Sequence, residues 1–486
     1  MYSEVFFRVK LPDGLTESFS SVRGVKQGCV LSPLLFNLFV SDLPGIFDQT
    51  CDPVNLYNSE IPCLMFADDL VLLSTTSTGL QNALNKLDTY CTKWGLSLNL
   101  NKTKVIIFNK SGHLLKNYSF SVNNAPIEIT TSYMYLGIIF TICGSFTKAV
   151  EHLTNQAQKA LFKLIQKDTR NNVLTALKLF DSLILPIIRY GSEVWGPFYI
   201  KRLNDRNLLN LCDKLPLEKI QTKFCRYILG VHKKSTNIAT RSELGLYPLL
   251  LDLLTHSAKY WIQLCNTGID RLVKRAYLDS YISMDKSHTW ASHMQKLWAH
   301  FSLTGVWENQ GTRHRHKTIS LLVTAILKEY NLQWEDILNS ENSKLRTYKR
   351  FKIRPSLENY LCVGNVSTRQ EFTRLRISAH FLRIETGRYT VPKKTPIEER
   401  ICQLCNNSVE DEKHFVLECP FLQVERDALF NTLHTFTNFK NLNTEDKFLF
   451  IMSYNNGDTE VFRHIATFIN LCVYTRKVAL GLSPAV

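Results

Sequence analysis

Long apolar runs are missing from this 486-residue sequence: nothing approaches the roughly 18 uninterrupted apolar residues that a spanning helix needs. The opening residues, Met1-Tyr2-Ser3-Glu4-Val5, supply neither the basic region nor the apolar core of a secretory signal. No internal repeat and no low-complexity linker interrupts the chain. Acid is scarce beside base, with 43 Asp and Glu against 58 Lys and Arg, a net charge of +15. The resulting pI near 9.1 favours a polyanionic partner, nucleic acid ahead of anionic membrane. A disulfide framework is missing too. Most of the 13 cysteines stand singly among apolar residues, as at Cys29, Cys63, Cys91 and Cys472. That usage fits buried thiols in a reducing compartment, so the expectation is an intracellular protein with no membrane partner. The length exceeds one ordinary core and predicts two to four domains.

Leu64-Met65-Phe66-Ala67-Asp68-Asp69-Leu70-Val71-Leu72-Leu73 organises what is there. Two acids stand between two strand-length apolar runs, the pattern of a hairpin with Asp68 and Asp69 at its tip. Adjacent carboxylates disfavour each other's ionisation, and a divalent ion resolves the repulsion. Hard oxygens suit Mg²⁺, and two-metal phosphoryl transfer needs such a clamp. Taken alone, the pair also fits a polar, solvent-facing turn.

Upstream, Val5–Lys10 and Ser18–Val22 read as strands, with Pro12-Asp13-Gly14 as a turn. Gly24 and Gly28 either open a loop for close approach of a ligand or merely permit turns. Ser32 and Pro33 start a helix expected to be largely buried. Downstream, Thr78 and Gln81 fit a capping box for a helix that Gly95 stops. Leu96–Leu100 and Val105–Phe108 look strand-like around the basic turn Asn101-Lys102-Thr103-Lys104. The stretch Tyr133–Phe140 is expected to pair with Phe120–Val122. From Phe146 the periodicity turns helical, with Ala149, Leu153, Ala157, Leu161 and Leu164 on one face. Further on, Lys344, Arg346, Lys349, Arg350, Lys352 and Arg354 interleave with Tyr348 and Phe351. Such a run suits a single-stranded nucleic acid or a plain solvated face.

Near the C-terminus, Cys402, Cys405, His414 and Cys419 follow the spacing C-x₂-C-x₈-H-x₄-C. Three thiolates and an imidazole match tetrahedral structural Zn²⁺ with no position left for water. The bland alternative is a set of unrelated buried side chains.

Gln27-Gly28 through Ser32-Pro33, then Phe66-Ala67-Asp68-Asp69, Asn101-Lys102-Thr103-Lys104 and Tyr135-Leu136-Gly137 together resemble the reverse transcriptases of non-LTR (LINE-like) retrotransposons. The resemblance implies an α+β fold: a partial right-hand polymerase palm, an antiparallel sheet with helices, then a helical thumb and connection and a small zinc-stabilised module. It places partial fingers and palm at 1–145, thumb and connection at 146–340, and a basic linker and helical segment at 341–395. The zinc-binding module follows at 396–430 and a helical tail at 431–486. It further implies RNA-directed DNA synthesis, with an RNA template, a DNA primer or target, dNTPs and catalytic Mg²⁺, and a nuclear location. Asp68 and Asp69 would hold Mg²⁺, and Lys102 or Lys104 would protonate the leaving pyrophosphate. Gln27, Gly28, Ser32 and Phe66 would contact template and nucleotide, and Tyr135, Leu136 and Gly137 the primer end. The cluster of Cys402, Cys405, His414 and Cys419 resembles the C-terminal zinc module of such elements. The family's bridging carboxylate lies upstream of the Gln-Gly motif. Here the sole aspartate before Gln27 is Asp13, in a turn, and Asp42 reads as a helix end. The expectation is a truncated copy missing one catalytic aspartate, the upstream fingers and any endonuclease portion, its own polymerase activity left open. The alternative is a non-enzymatic nucleic-acid-binding remnant.

Overall fold

The computed structural model describes every residue except 1–4, 22, 23, 27, 116, 203–206, 286, 287, 342, 437, 454–457 and 483–486. Two compact units emerge. The first joins Met1–Lys148 to Gly268–Ile282, and the second joins Ala149–Thr267 to Ser283–Val486.

Short strands build the first unit. β1 (Val5–Phe7), β2 (Lys10–Leu11), β3 (Gly14–Leu15) and β4 (Phe19–Ser21) pair antiparallel as β1–β4 and β2–β3, with Asp13 in the turn of the inner hairpin. Helix α1 (Ser32–Phe39) follows, then the pair β5 (Val54–Asn55) and β6 (Glu60–Ile61). β7 (Cys63–Phe66) and β8 (Asp69–Leu72) form the acidic hairpin. Helix α2 (Ser77–Trp94) leads to β9 (Lys104–Val105), β10 (Phe120–Val122) and β11 (Ala125–Ile129), in which β11 pairs antiparallel with β10 and parallel with β9. β12 (Ser132–Tyr135) and β13 (Ile138–Thr141) close the unit as a hairpin.

α2 is the spine of this unit because its apolar residues recur at helical spacing on two sides. Ala83, Leu87, Tyr90 and Cys91 pack with Leu43, Phe47 and Cys51, while Leu84 packs with Val105, Phe120, Val122 and Ile127. Fully burying a leucine or phenylalanine contributes about 1.5–3 kcal/mol. Its N-cap is Thr76, whose hydroxyl accepts from Gly79 N–H at 3.0 Å, two residues before the expected Thr78. Gln81 serves otherwise: its amide exchanges two hydrogen bonds with the backbone of Ser121, at 2.8 and 3.0 Å, clamping α2 to β10.

Three other expectations are corrected. Leu96–Leu100 carries no strand, and Leu96 and Leu98 reach the core from a loop. The strand at Tyr133–Phe140 pairs with itself across Leu136-Gly137, and Phe120–Val122 pairs with β11. α1 is not largely buried: Leu34, Leu38 and Phe39 are exposed, because apolar residues are spread around all sides of an eight-residue helix.

The second unit is helical. α3 (Thr147–Gln166) buries Ala149, Val150, Leu153, Ala157, Leu161 and Leu164. A wider turn at Phe180–Ile184 interrupts the next helix just before Pro186, whose ring cannot continue a regular ladder. The helices Pro216–Leu229, Leu249–Cys265 and Arg315–Asn339 are among those that supply the remaining core. No helix among the described residues is long and apolar enough to cross a membrane. Small N-terminal sheets, an extensive helical region and a C-terminal Cys₃His cluster together give the α+β architecture of a palm followed by thumb and zinc module.

The basic run turns inward. Arg346 binds Glu385 at 2.8 Å and Glu412 at 2.7 Å, and Lys352 is buried against Glu358. Tyr348 is wholly buried, and Arg350 pairs with Glu445. Buried glutamates demand cations, and this segment supplies them. Lys349, Arg350 and Arg354 stay exposed, so the run is in part an internal brace and in part a solvated face.

Candidate functional site

The register Cys63↔Leu72, Leu64↔Val71, Met65↔Leu70 and Phe66↔Asp69 sorts the acidic hairpin into two faces. Cys63, Met65, Leu70 and Leu72 pack onto the α2 core. Side chains alternate along a strand, so Phe66 and Asp69 share the opposite face. Phe66 is 63% exposed beside the acids, and both Asp68 and Asp69 are exposed. The two-residue turn forces Ala67 to φ 52°, a region costly for a residue with a Cβ. Strain of this kind concentrates at functional turns.

The second hairpin comes close to the first. Burial, and after it the charge of Asp69, pushes the Tyr135 phenol up from its usual value. Leu136 (φ 48°) and Gly137 (φ 77°) form its turn, and two positive φ values in succession fit the twist of a tight hairpin. Tyr133, two residues before Tyr135 and on the same strand face, donates its hydroxyl to the Lys102 carbonyl at 2.9 Å. That tie was not anticipated, although the Tyr-x-Tyr spacing on one strand is its signal. Lys102 sits in a turn held by Asn99, and Lys104 is paired with Glu128 at 2.7 Å. Gly28 (φ 80°) sits in the loop before α1. Ser32 is buried and donates its hydroxyl to the Lys26 carbonyl at 2.5 Å, fixing that loop. Gln27 lies outside the described residues. Asp42 accepts from the Tyr90 hydroxyl at 2.5 Å, which, after burial, raises that phenol to about 12. Among the described residues, no third carboxylate, histidine or cysteine joins Asp68 and Asp69 in a group able to hold a metal.

In the second unit, the donor atoms of Cys402, Cys405, His414 and Cys419 all lie within 4.8 Å of one another. Tetrahedral zinc, with Zn–S of about 2.3 Å and Zn–N of about 2.0 Å, sets S···S near 3.8 Å and S···N near 3.5 Å. Cys402 and Cys419 Sγ are 3.9 Å apart, and Cys405 Sγ is 3.4 Å from His414 Nε2. The donors fit. Burial pushes the Cys402 thiol up to about 12 and lowers the pKa of His414, so a cation is what would stabilise the Cys402 thiolate here. Local backbone builds the site. Cys402 N–H binds Ser408 O at 2.8 Å across a knuckle in which Asn406 takes φ 57°. Asp411 caps the following turn through His414 N–H at 2.7 Å. His414 and Cys419 are five residues apart, which a regular helix would turn about 140° from each other. The wider turn His414–Glu418, closed by Cys419 N–H on His414 O at 2.7 Å, brings both onto the metal side. Arg426 then anchors the Cys419 carbonyl at 2.5 Å. The Asp-x-x-His spacing pointed to the Asp411 cap, whereas nothing local pointed to Arg426.

An acidic hairpin, a lysine turn, a tyrosine hairpin and a C-terminal Cys₃His knuckle follow in that chain order, an arrangement consistent with a reverse-transcriptase palm and a downstream zinc module. Comparison with known proteins agrees. Residues 3–140 match the family model described as reverse transcriptase (RNA-dependent DNA polymerase). The RNA-directed DNA polymerase from mobile element jockey of Drosophila melanogaster is 28% identical over 288 residues, 56% of this chain and 29% of that protein. The probable RNA-directed DNA polymerase from transposon BS of the same species is 30% identical over 193 residues, covering 36% and 20%. The retrovirus-related Pol polyprotein from type-2 retrotransposable element R2DM, also of D. melanogaster, is 35% identical over 136 residues, covering 26% and 13%. The chain is thus homologous to several non-LTR retrotransposon reverse transcriptases, and the matched stretch spans less than a third of the length of each of these three.

Proposed function

We propose that this chain carries the palm and downstream helical and zinc regions of a non-LTR retrotransposon reverse transcriptase, whose ancestral reaction is nucleotidyl transfer from dNTPs to a primer 3′-OH on an RNA template. One observation carries the reading: Asp68 is exposed at a strained hairpin tip, with Asp69 beside it within electrostatic reach of Tyr135. Asp68 and Asp69 take the role of Mg²⁺ ligands, and Gln27, Gly28, Ser32 and Phe66 that of the template and nucleotide contacts. Tyr135, Leu136 and Gly137 support the primer end. Of the two lysines, Lys102 is assigned to the leaving pyrophosphate, because the Lys104 ammonium is engaged by Glu128. An ammonium near the β-phosphate neutralises charge and donates a proton.

A two-metal centre requires a further carboxylate from a separate strand. The described residues offer two adjacent acids and no third ligand, so by themselves they do not fit that centre. This favours a second reading, a nucleic-acid-binding remnant in which phosphate contacts outlast the lost metal clamp.

Primer extension on an RNA template, with the purified chain, Mg²⁺ and dNTPs, decides. Incorporation that Asp68→Ala abolishes establishes the polymerase. Template binding without incorporation establishes the remnant, and failure of both overturns the proposal.

A further inference from the structure

Six basic side chains of the helical unit gather at one place on its surface, three of them also paired with acids, Lys344 and Arg388 with Glu385 and Arg374 with Glu371. Three stretches far apart in sequence meet there: His232-Lys233-Lys234, in the loop after the helix Pro216–Leu229; Lys344; and the segment from Arg374 to Tyr389. The Lys234 ammonium stands 5.3 Å from the centroid of the Tyr389 ring. The His232 and Phe381 rings lie 6.1 Å apart at 41°. Arg374 reaches the same loop by donating to the Gly230 carbonyl at 3.3 Å. Lys344 is 3.9 Å from Glu385, the carboxylate that also holds Arg388 at 3.2 Å. The titration behaviour agrees with this crowding. Burial first, then the charges of Lys344, Arg374 and Lys234, lowers the pKa of His232. Burial, and among the neighbouring charges Arg388 and Lys234, lowers that of Lys344.

Two aromatic rings are left wet in the midst of these cations: Phe381 is 58% exposed and Tyr389 56%. Covering a phenylalanine ring is favourable, so the fold forgoes that gain here. Bringing like charges together from three segments also works against stability. A merely solvated face accounts for the lysines but not for their convergence around exposed rings. A polyanion relieves the repulsion, and one with unstacked bases also covers the rings. A duplex relieves only the first, since its base faces are already stacked on each other.

We propose that His232, Lys233, Lys234, Lys344, Arg374 and Arg388, together with Phe381 and Tyr389, form a binding surface for single-stranded nucleic acid, with phosphates on the cations and bases stacked on the two rings. The proposal rests on the function inferred above for the class of partner, and it names where in the helical unit that partner sits. Of the basic run Lys344–Arg354, only Lys344 takes part.

The test is fluorescence anisotropy with the full chain across a salt series. The probes are a labelled RNA strand of about 15 nucleotides, the same sequence as DNA, and the corresponding duplex. Tyr389→Ala should weaken single-strand binding roughly tenfold and leave duplex binding unchanged. The double variant Lys233→Ala/Lys234→Ala should reduce the slope of log affinity against log salt by about 1–2. Lys159→Ala/Lys163→Ala, exposed on α3 and outside the surface, should match the parent. All the replaced side chains are exposed, so thermal melts should coincide. Unchanged single-strand affinity in Tyr389→Ala, an equal loss for duplex, or no binding of any probe by the parent chain overturns the proposal. A chain that binds through Tyr389 yet extends no primer leaves this surface standing and removes only the polymerase. A chain that extends a primer while Tyr389→Ala binds normally removes only this surface.

Discussion

Replacing Lys352 by methionine separates an internal role of the basic run from an external one. Lys352 is 3% exposed, and its ammonium donates to Ser356 O at 2.8 Å and Ser356 Oγ at 3.1 Å while pairing with Glu358. Glu358 and Glu243 share the Arg376 guanidinium at 2.9 and 3.1 Å. Two buried cations thus face two buried carboxylates, and methionine leaves the cluster one negative charge in excess. Breaking a buried pair from one side costs about 3–5 kcal/mol. The excess charge also gives the variant a pH signature. Glu358 is already raised by burial and then by Glu243, and losing Lys352 raises it further. A carboxyl whose folded pKa lies above its unfolded value weakens the fold as pH climbs past the unfolded value. The penalty should therefore be larger at pH 7 than at pH 5. Urea unfolding followed by tryptophan fluorescence reads this unit, which holds six of the seven tryptophans, all but Trp94. Adding Glu358→Gln to the methionine variant should restore part of the loss, because Arg376 keeps Glu243. Nucleic-acid affinity should stay at the parent's value. A variant within 1 kcal/mol of the parent that binds nucleic acid less well would refute the internal role.

Other consequences are open to direct measurement. Elemental analysis should find about one zinc per chain, lost in Cys402→Ser with a lowered melting temperature, since metal affinity at such a site is folding energy; zinc-free protein after careful metal repletion sinks the site. Burial would raise the Glu412 carboxyl, but the hydrogen bond and charge of His380 and the charge of Arg346 hold it at about 2, below its reference 4.5. A depressed carboxyl stabilises above its unfolded pKa, so about 3 kcal/mol should drain away as pH falls from 4.5 toward 2. Glu412→Gln should be less stable at pH 7 and show a flatter acid limb. In Gly79→Ala, a Cβ would meet Cys51 O at 2.6 Å and Asp52 Cβ at 2.7 Å, both fixed by the loop beneath α2. Overpacking should cost about 1–3 kcal/mol, opposite in sign to the gain of about 1 kcal/mol at an ordinary helical glycine. A stabilised variant would show that the contact yields.

The acidic hairpin was legible because alternation and two adjacent acids permit few other arrangements, and the zinc knuckle because ligand spacing is nearly a geometry in itself. The helix cap was not. Ser74, Thr75, Thr76, Ser77 and Thr78 are interchangeable by local rules, and Thr76 is selected by its tertiary bond to Asp52. The Leu136-Gly137 turn escaped because tight hairpins favour Asn or Gly where leucine must take φ 48° here. The inward-turned part of the basic run was not legible for a reason of range. Its counter-ions Glu385, Glu412 and Glu445 lie far along the chain, and no window over Lys344–Arg354 contains them.

What the inward turn of that run does to the charge argument can be reckoned from burial. Among the described residues, seven cations are buried, Arg241, Lys352, Arg369, Arg376, Arg400, Arg426 and Arg476. Against them stand six buried acids, Glu218, Glu243, Glu358, Glu385, Glu410 and Glu412. The described interior is within one charge of neutral, as low-dielectric burial requires. Nearly all of the positive excess carried by the described residues therefore remains outside the interior. Total charge is a property that burial in pairs cannot change, whereas the position of a charged run along the chain says nothing of which way its side chains face. The case for a polyanionic partner thus survives the loss of the segment that first suggested where it binds, and the search for that site passes to cations that folding, not sequence, brings together.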